Sequence, residues 1–118
     1  MMNLGASLYA ISQGTFVINA AFFDENGAPA TPISASWTLT DINGTVQNSR
    51  LNVVISPIAQ AVQIVLSGAD INYGASASHQ RTLTLTALYV SSLSVTPLPL
   101  VDSCTFYVAN PITGNIGP

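Results

Sequence analysis

An all-β sandwich is the fold class this chain predicts, and three observations predict it. Apolar residues alternate with Ser and Thr at a period of two over most of the chain. Turn-forming residues interrupt that alternation every ~8–12 residues. No segment carries a helical period beyond a few turns. The length of 118 residues fits one domain, and 48% apolar residues supply one sizeable core.

Each element follows from local chemistry. Residues 1–12 are expected to form an arm or an edge strand centred on Leu8-Tyr9-Ala10-Ile11. A first full strand spans 15–23. Asp24-Glu25-Asn26-Gly27 then offers a turn, because Asn-Gly tolerates positive φ. The cleanest alternation lies at 33–40, where Ile33, Ala35, Trp37 and Leu39 share a face opposite Ser and Thr. Asp41-Ile42-Asn43-Gly44 repeats the turn signal. A strand at 51–56 ends at Pro57, which cannot donate a ladder hydrogen bond. The next strand covers 61–67. The polar stretch 68–80 is expected to hold a helical turn at 67–71 and a corner at Tyr73-Gly74. Residues 81–89 place Leu83, Leu85, Ala87 and Tyr89 on one face. Residues 91–100, with Pro97 and Pro99, read as an extended loop. In a last strand at 103–108, Cys104, Phe106 and Val108 share a face. Residues 111–118 form a tail without a strand pattern. The domain proper is expected at 13–110.

About seven strands at this spacing make an antiparallel β-sandwich, with extensions at both ends. Trp37, on an early strand, suits a position across the inter-sheet core. The single cysteine, Cys104, excludes an internal disulfide. Together these favour an immunoglobulin-like or fibronectin-like sandwich over an antibody domain proper.

Composition narrows the function classes. Charged residues make up 6% of the chain, against roughly 25% in typical domains. Arg50 and Arg81 are the two cations, and no lysine occurs. Such a chain does not suit nucleic-acid binding, which needs clustered cations. A membrane span is not expected, because no apolar run approaches ~18 residues. The start of the chain has no basic segment ahead of its apolar residues. One histidine, His79, and one cysteine, 25 positions apart, offer no metal-ligand set. His79 reads as an exposed loop residue and Cys104 as a small buried hydrophobe. Asp24 and Asp41 read as turn caps, and the spacing of Asp70 matches no calcium loop. Arg50 and Arg81 each suit either a carboxylate partner or a subunit boundary. Neither an enzyme, a cofactor nor a small-molecule substrate is expected, since catalysis needs convergent titratable groups.

The segment Phe22-Phe23-Asp24-Glu25-Asn26-Gly27, followed by Ala35-Ser36-Trp37-Thr38-Leu39-Thr40-Asp41-Ile42-Asn43-Gly44-Thr45-Val46, resembles a pattern in tailed-bacteriophage virion proteins. Those proteins carry small immunoglobulin-like sandwiches. The resemblance implies a structural role on a phage particle, as a capsid decoration protein or as a neck or tail accessory protein. Its partners would be the major capsid protein or other virion subunits, with a homo-oligomer or a lattice neighbour expected. Its location would be the virion, assembled in the host cytoplasm. Low charge agrees with packing into a lattice, since short polar side chains lose little entropy there. The expected docking residues are Leu8, Tyr9 and Ile11 of the arm, Leu93, Val95, Leu98 and Leu100 of the loop, and Ile112 and Ile116 of the tail. A carbohydrate- or host-surface-binding module is the other reading, with Tyr73, Tyr89 and Tyr107 as stacking aromatics.

Overall fold

The computed structural model describes residues 2–6, 9–75, 79–110 and 115–116. It is all-β, with two sheets. The strands are β1 (Met2–Gly5), β2 (Tyr9–Ile11), β3 (Thr15–Phe22), β4 (Ser34–Asp41), β5 (Val53–Val54), β6 (Ala61–Ser67), β7 (Gln80–Tyr89), β8 (Leu98–Asn110) and β9 (Asn115–Ile116). The smaller sheet has the order β1-β3-β6. The larger has the order β2-β8-β7-β4-β5, with β9 also pairing β8. Pairing is antiparallel except between β2 and β8, among the described residues. The molecule measures 52 × 22 × 22 Å, so its two ends along the strands are well separated.

Period-two alternation does what it predicts. β3 turns Phe16, Ile18, Ala20 and Phe22 inward, and β4 turns in Ala35, Trp37 and Leu39. β7 adds Leu83, Leu85, Ala87 and Tyr89, while β8 adds Leu100, Phe106 and Val108. The Phe16 and Phe106 rings stack across the two sheets at 4.5 Å. Burying these side chains is the main stabilising term, at roughly 1.5–3 kcal/mol for each Leu, Ile, Val or Phe and less for the alanines. Cys104 packs half-buried against the same core, and burial pushes its thiol pKa up, with Asp102 adding to the shift.

The two Asn-Gly turns are copies of each other. Asp24 Oδ1 accepts from the N–H groups of Asn26 and Ala28, at 2.9 and 3.0 Å. Asp41 Oδ1 accepts from Asn43 and Thr45 at 2.9 and 3.0 Å. In each, the glycine N–H returns to the aspartate carbonyl, with Gly27 at φ +80° and Gly44 at φ +83°. The sequence Asp-x-Asn-Gly therefore encodes a capped turn closed by a left-handed glycine.

Several expectations are corrected. The strand expected at 51–56 shrinks to β5. Asn48, Ser49 and Asn52 adopt positive φ, and the Asn52 N–H bonds the Thr38 hydroxyl instead of a ladder partner. Ile33 lies ahead of β4 and is exposed. The expected loop at 91–100 ends early, because β8 starts at Leu98 and pairs Tyr89. Both prolines fit: Pro97 precedes the strand, and Pro99 lies near its start. The arm is not one strand but two, with β1 on the smaller sheet and β2 on the larger. In the tail, residues 115–116 pair with β8.

Candidate docking surface

One end of the sandwich is apolar and exposed. β7 and β8 are joined there by residues 90–97, opposite the Asp24 turn that joins β3 to β4. Val90 is 73% exposed, Leu93 71%, and Val95 fully so. Ile33, whose N–H bonds the Leu88 carbonyl at 2.8 Å, adds an exposed side chain beside Leu88. The outer face of the larger sheet continues the patch. Val54 pairs with Ser36, Ser36 with Thr86, and Thr86 with Val101, which places Val54 and Val101 in one row with exposed side chains. A shallow concavity of about 350 Å³ lies between these strands, lined by Ser34, Ser36, Val54, Thr86 and Leu88.

Local chemistry explains why this apolar tip projects. In Ser91-Ser92-Leu93-Ser94-Val95-Thr96, serine hydroxyls take up backbone donors. Ser91 Oγ accepts from the Leu93 N–H at 3.1 Å, and Ser94 Oγ from the Thr96 N–H at 3.2 Å. These turns consume polar groups locally and leave the intervening apolar side chains outward.

A carboxylate ties the tip to its neighbour. Glu25 Oε1 accepts from Ser91 Oγ at 2.8 Å and from Tyr89 Oη at 2.9 Å. The hydrogen bond from Ser91, then that from Tyr89, hold the Glu25 pKa below its ordinary value. Donation to Glu25 is also the chief reason the Tyr89 pKa is raised. Bonds between an ionised acceptor and hydroxyl donors are the stronger kind. They fix the β3–β4 turn to the base of the β7–β8 connection.

The opposite end is built differently. Asp70, nearly buried, accepts from Arg50 Nε at 2.7 Å, from Asn48 Nδ2 at 2.8 Å, and from the Ser67 N–H at 3.1 Å. Burial raises its pKa, but the hydrogen bonds from Arg50, Asn48 and Ser67 outweigh that and leave it lowered. Arg81 is fully buried on the inward face of β7, with Asp41 opposite it on β4. Its guanidinium donates to the carbonyls of Gln80 and Asn72 at 3.0 and 3.1 Å. Burial lowers the Arg81 pKa, and the Asp41 charge opposes that shift. His79 is half-buried there, stacked on Tyr73 at 3.7 Å, which corrects its reading as an exposed loop residue. Its Nδ1 is buried and makes no hydrogen bond among the described residues.

The expected docking residues divide. Leu93 and Val95 stand exposed at the apolar end. Tyr9 and Ile11 are exposed on β2 at the other end, where the Tyr9 and Tyr107 rings lie 5.9 Å apart. Leu98 and Leu100 are corrected: both lie on inward positions of β8, with Leu98 packed on the core and Leu100 buried in it. The two sets therefore do not form one surface. Leu8 and Ile112 lie outside the described residues, and Ile116 lies in β9. Sequence reasoning put Ile33 inward and did not single out Val54 or Val90 as surface residues. Leu88 was legible from parity, since it sits on the hydroxyl-bearing face of its strand.

Among the described residues, no three His, Cys, Asp or Glu side chains come together as a metal site requires. No helix there is long and apolar enough to cross a membrane. No family model matches the chain, and neither a curated protein nor a solved structure matches it.

Proposed function

We propose that this chain is an immunoglobulin-like subunit of a tailed-phage particle, a non-enzymatic capsid decoration protein that docks through its apolar end. The observation that carries the docking role is the exposed group Ile33, Leu88, Val90, Leu93 and Val95, continuous with Val54 and Val101. Clustered exposed apolar side chains of this kind mark interaction sites. The strand order supports the immunoglobulin-like reading. The smaller sheet corresponds to strands A-B-E, and the larger to G-F-C-C′ with β2 added beside G. Trp37, buried on the strand equivalent to C, supports it too. The particle itself rests on the resemblance of residues 22–46 to phage virion sandwiches. Neck and tail accessory positions on the same particle remain within this reading.

The test is binding to particles assembled without the protein. Purified chain is expected to sediment with them at a fixed copy number, in the hundreds for a capsid site by order of magnitude. A chain that never co-sediments with such particles sinks the reading.

A second reading draws on a different surface. Exposed Tyr9 and half-buried Tyr107 form an aromatic pair beside the Thr82 and Thr105 hydroxyls, which lie 3.3 Å apart. Aromatic faces flanked by neutral hydrogen-bonding groups suit a neutral saccharide. Glycan-array signals abolished by Tyr107→Ala would support this module in place of the docking role.

A further inference from the structure

Among the described residues, β1 and β6 lie at the edges of the smaller sheet and β2, β5 and the two-residue β9 at edges of the larger, and they are not equally protected. β1 has four residues, β2 three and β5 two. Such short edges offer little to a passing strand. β6 is the exception, with seven residues, Ala61-Val62-Gln63-Ile64-Val65-Leu66-Ser67. It carries no charge and no proline, the two usual guards of an exposed edge. Among the described residues, only β3 pairs with it.

The register fixes which backbone groups are open. The Phe22 N–H bonds the Gln60 carbonyl at 2.9 Å, and the Gly68 N–H bonds the Gly14 carbonyl at 3.1 Å. Both bonds extend the β3–β6 ladder, so even-numbered residues of β6 exchange hydrogen bonds with β3. The odd-numbered groups, on Ala61, Gln63, Val65 and Ser67, point away from it. The Ser67 N–H confirms this direction, since it is taken by Asp70 Oδ2. The N–H and C=O groups of Gln63 and Val65 therefore form the centre of an open ladder.

We infer that β6 pairs antiparallel with β6 of a second copy of this chain, about a two-fold axis at Ile64. The sequence is self-complementary in that register. Gln63 then faces Val65 of the second copy, and Val65 faces Gln63, so each pair exchanges both N–H···O=C bonds. Ala61 faces Ser67, whose carbonyl accepts from the Ala61 N–H. Ile64 meets Ile64, a non-bonded pair whose side chains lie close. The axis is perpendicular to the sheet, so inward faces stay inward. The outcome is one continuous sheet, β1-β3-β6-β6-β3-β1. No like charges meet along it, because β3 and β6 carry none and β1 carries none. An isologous two-fold contact of this kind closes on itself, which blocks further growth along that edge. The inference stands apart from the particle reading, since it uses neither the apolar end nor the phage resemblance.

An edge of this length buries little surface, so the dimer is weak, in the class below roughly 1,200 Å². The test is sedimentation of the full chain from about 1 μM to about 1 mM, a range that brackets weak self-association. Amide hydrogen exchange is followed in parallel. The expected result is a concentration-dependent dimer, with Gln63 and Val65 amides protected only at high concentration. The Val62, Ile64 and Leu66 amides should be protected throughout. Gln63→Pro removes an outward donor without touching the β3 ladder, and is expected to leave a monomer with the even-numbered amides still protected. Val65→Lys should weaken the dimer in the same direction. A chain monomeric across the whole range overturns the inference. So does a dimer that survives Gln63→Pro, or one in which Gln63 and Val65 amides exchange freely.

Discussion

The two ends of the sandwich spend their few charges in opposite ways. At the Asp70 end, Arg81, Asp41 and Asp70 are buried, and Arg50, its side chain 41% exposed, pairs with Asp70. Arg81 is fully buried, and Asp70 holds Arg50, Asn48 and the Ser67 N–H together. At the Glu25 end, two carboxylates and no cation stand beside exposed Val90, Leu93 and Val95. Glu25 meets hydroxyl donors there, not an opposite charge. The difference separates two jobs. Charges at the first end join loops to the core, and all but the half-exposed Arg50 are out of reach of solvent. The second end is held in shape by neutral donors, which leaves its apolar side chains uncovered. An overall charge of −3 conceals this, because the first end sums to zero from its two arginines and two aspartates.

Breaking the buried end should cost most. Arg81→Ala removes the guanidinium from between Asp41 and the Gln80 and Asn72 carbonyls, and is expected to destabilise by ~3–5 kcal/mol. Urea unfolding measures this; a loss below ~1 kcal/mol would mean that the end is not held by its charges. Asp70→Asn keeps the shape but removes the charged acceptor, with an expected loss of about 2 kcal/mol. The Asp70 pKa is lowered in the folded state. Its contribution is therefore complete above the unfolded value of about 3.9 and fades as pH falls through the folded value. Acid unfolding of the Asp70→Asn variant should show a shallower pH dependence below about pH 4 than the parent.

At the apolar end, the effect of acid is local. The Glu25 pKa is also lowered, so its clamp is complete above the unfolded value of about 4.3 and is lost as pH falls through the folded one. Protonating Glu25 should change the NMR shifts of Tyr89 and Ser91 while those of Trp37 stay put. Glu25→Gln should abolish that transition. If Trp37 moved with it, the end would not be an independent unit.

Parity made most of the fold legible. Ala61–Ser67 is read to the residue, and the inward faces of β3, of β4 from Ala35 on, of β7, and of the second half of β8 follow from alternation alone. Parity also reached further than the expectations drawn from it. Asp41 continues the face of Trp37 and Leu39, and Arg81 that of Leu83 and Leu85, so their juxtaposition was encoded. Other contacts had no local signal. Glu25 meets Tyr89 and Ser91 across 64 and 66 positions, and only tertiary packing brings them together. The strand expected at 51–56 failed because Thr38 and the left-handed residues around Asn52 divert its backbone. Of the proposed docking surface, exposed Leu93 and Val95 were legible. Leu98 and Leu100 were not, because prolines suggested a loop where β8 begins.

The central claim is that the apolar end docks and does not stabilise. The direct test is the double variant Leu93→Asp, Val95→Asp, examined for thermal unfolding and for binding to particles assembled without the protein. Exposed positions tolerate substitution within about 0.5 kcal/mol, so the unfolding midpoint should stay within a few degrees of the parent. Particle binding should be lost. Binding that persists at parental strength, with the midpoint unchanged, would contradict the account.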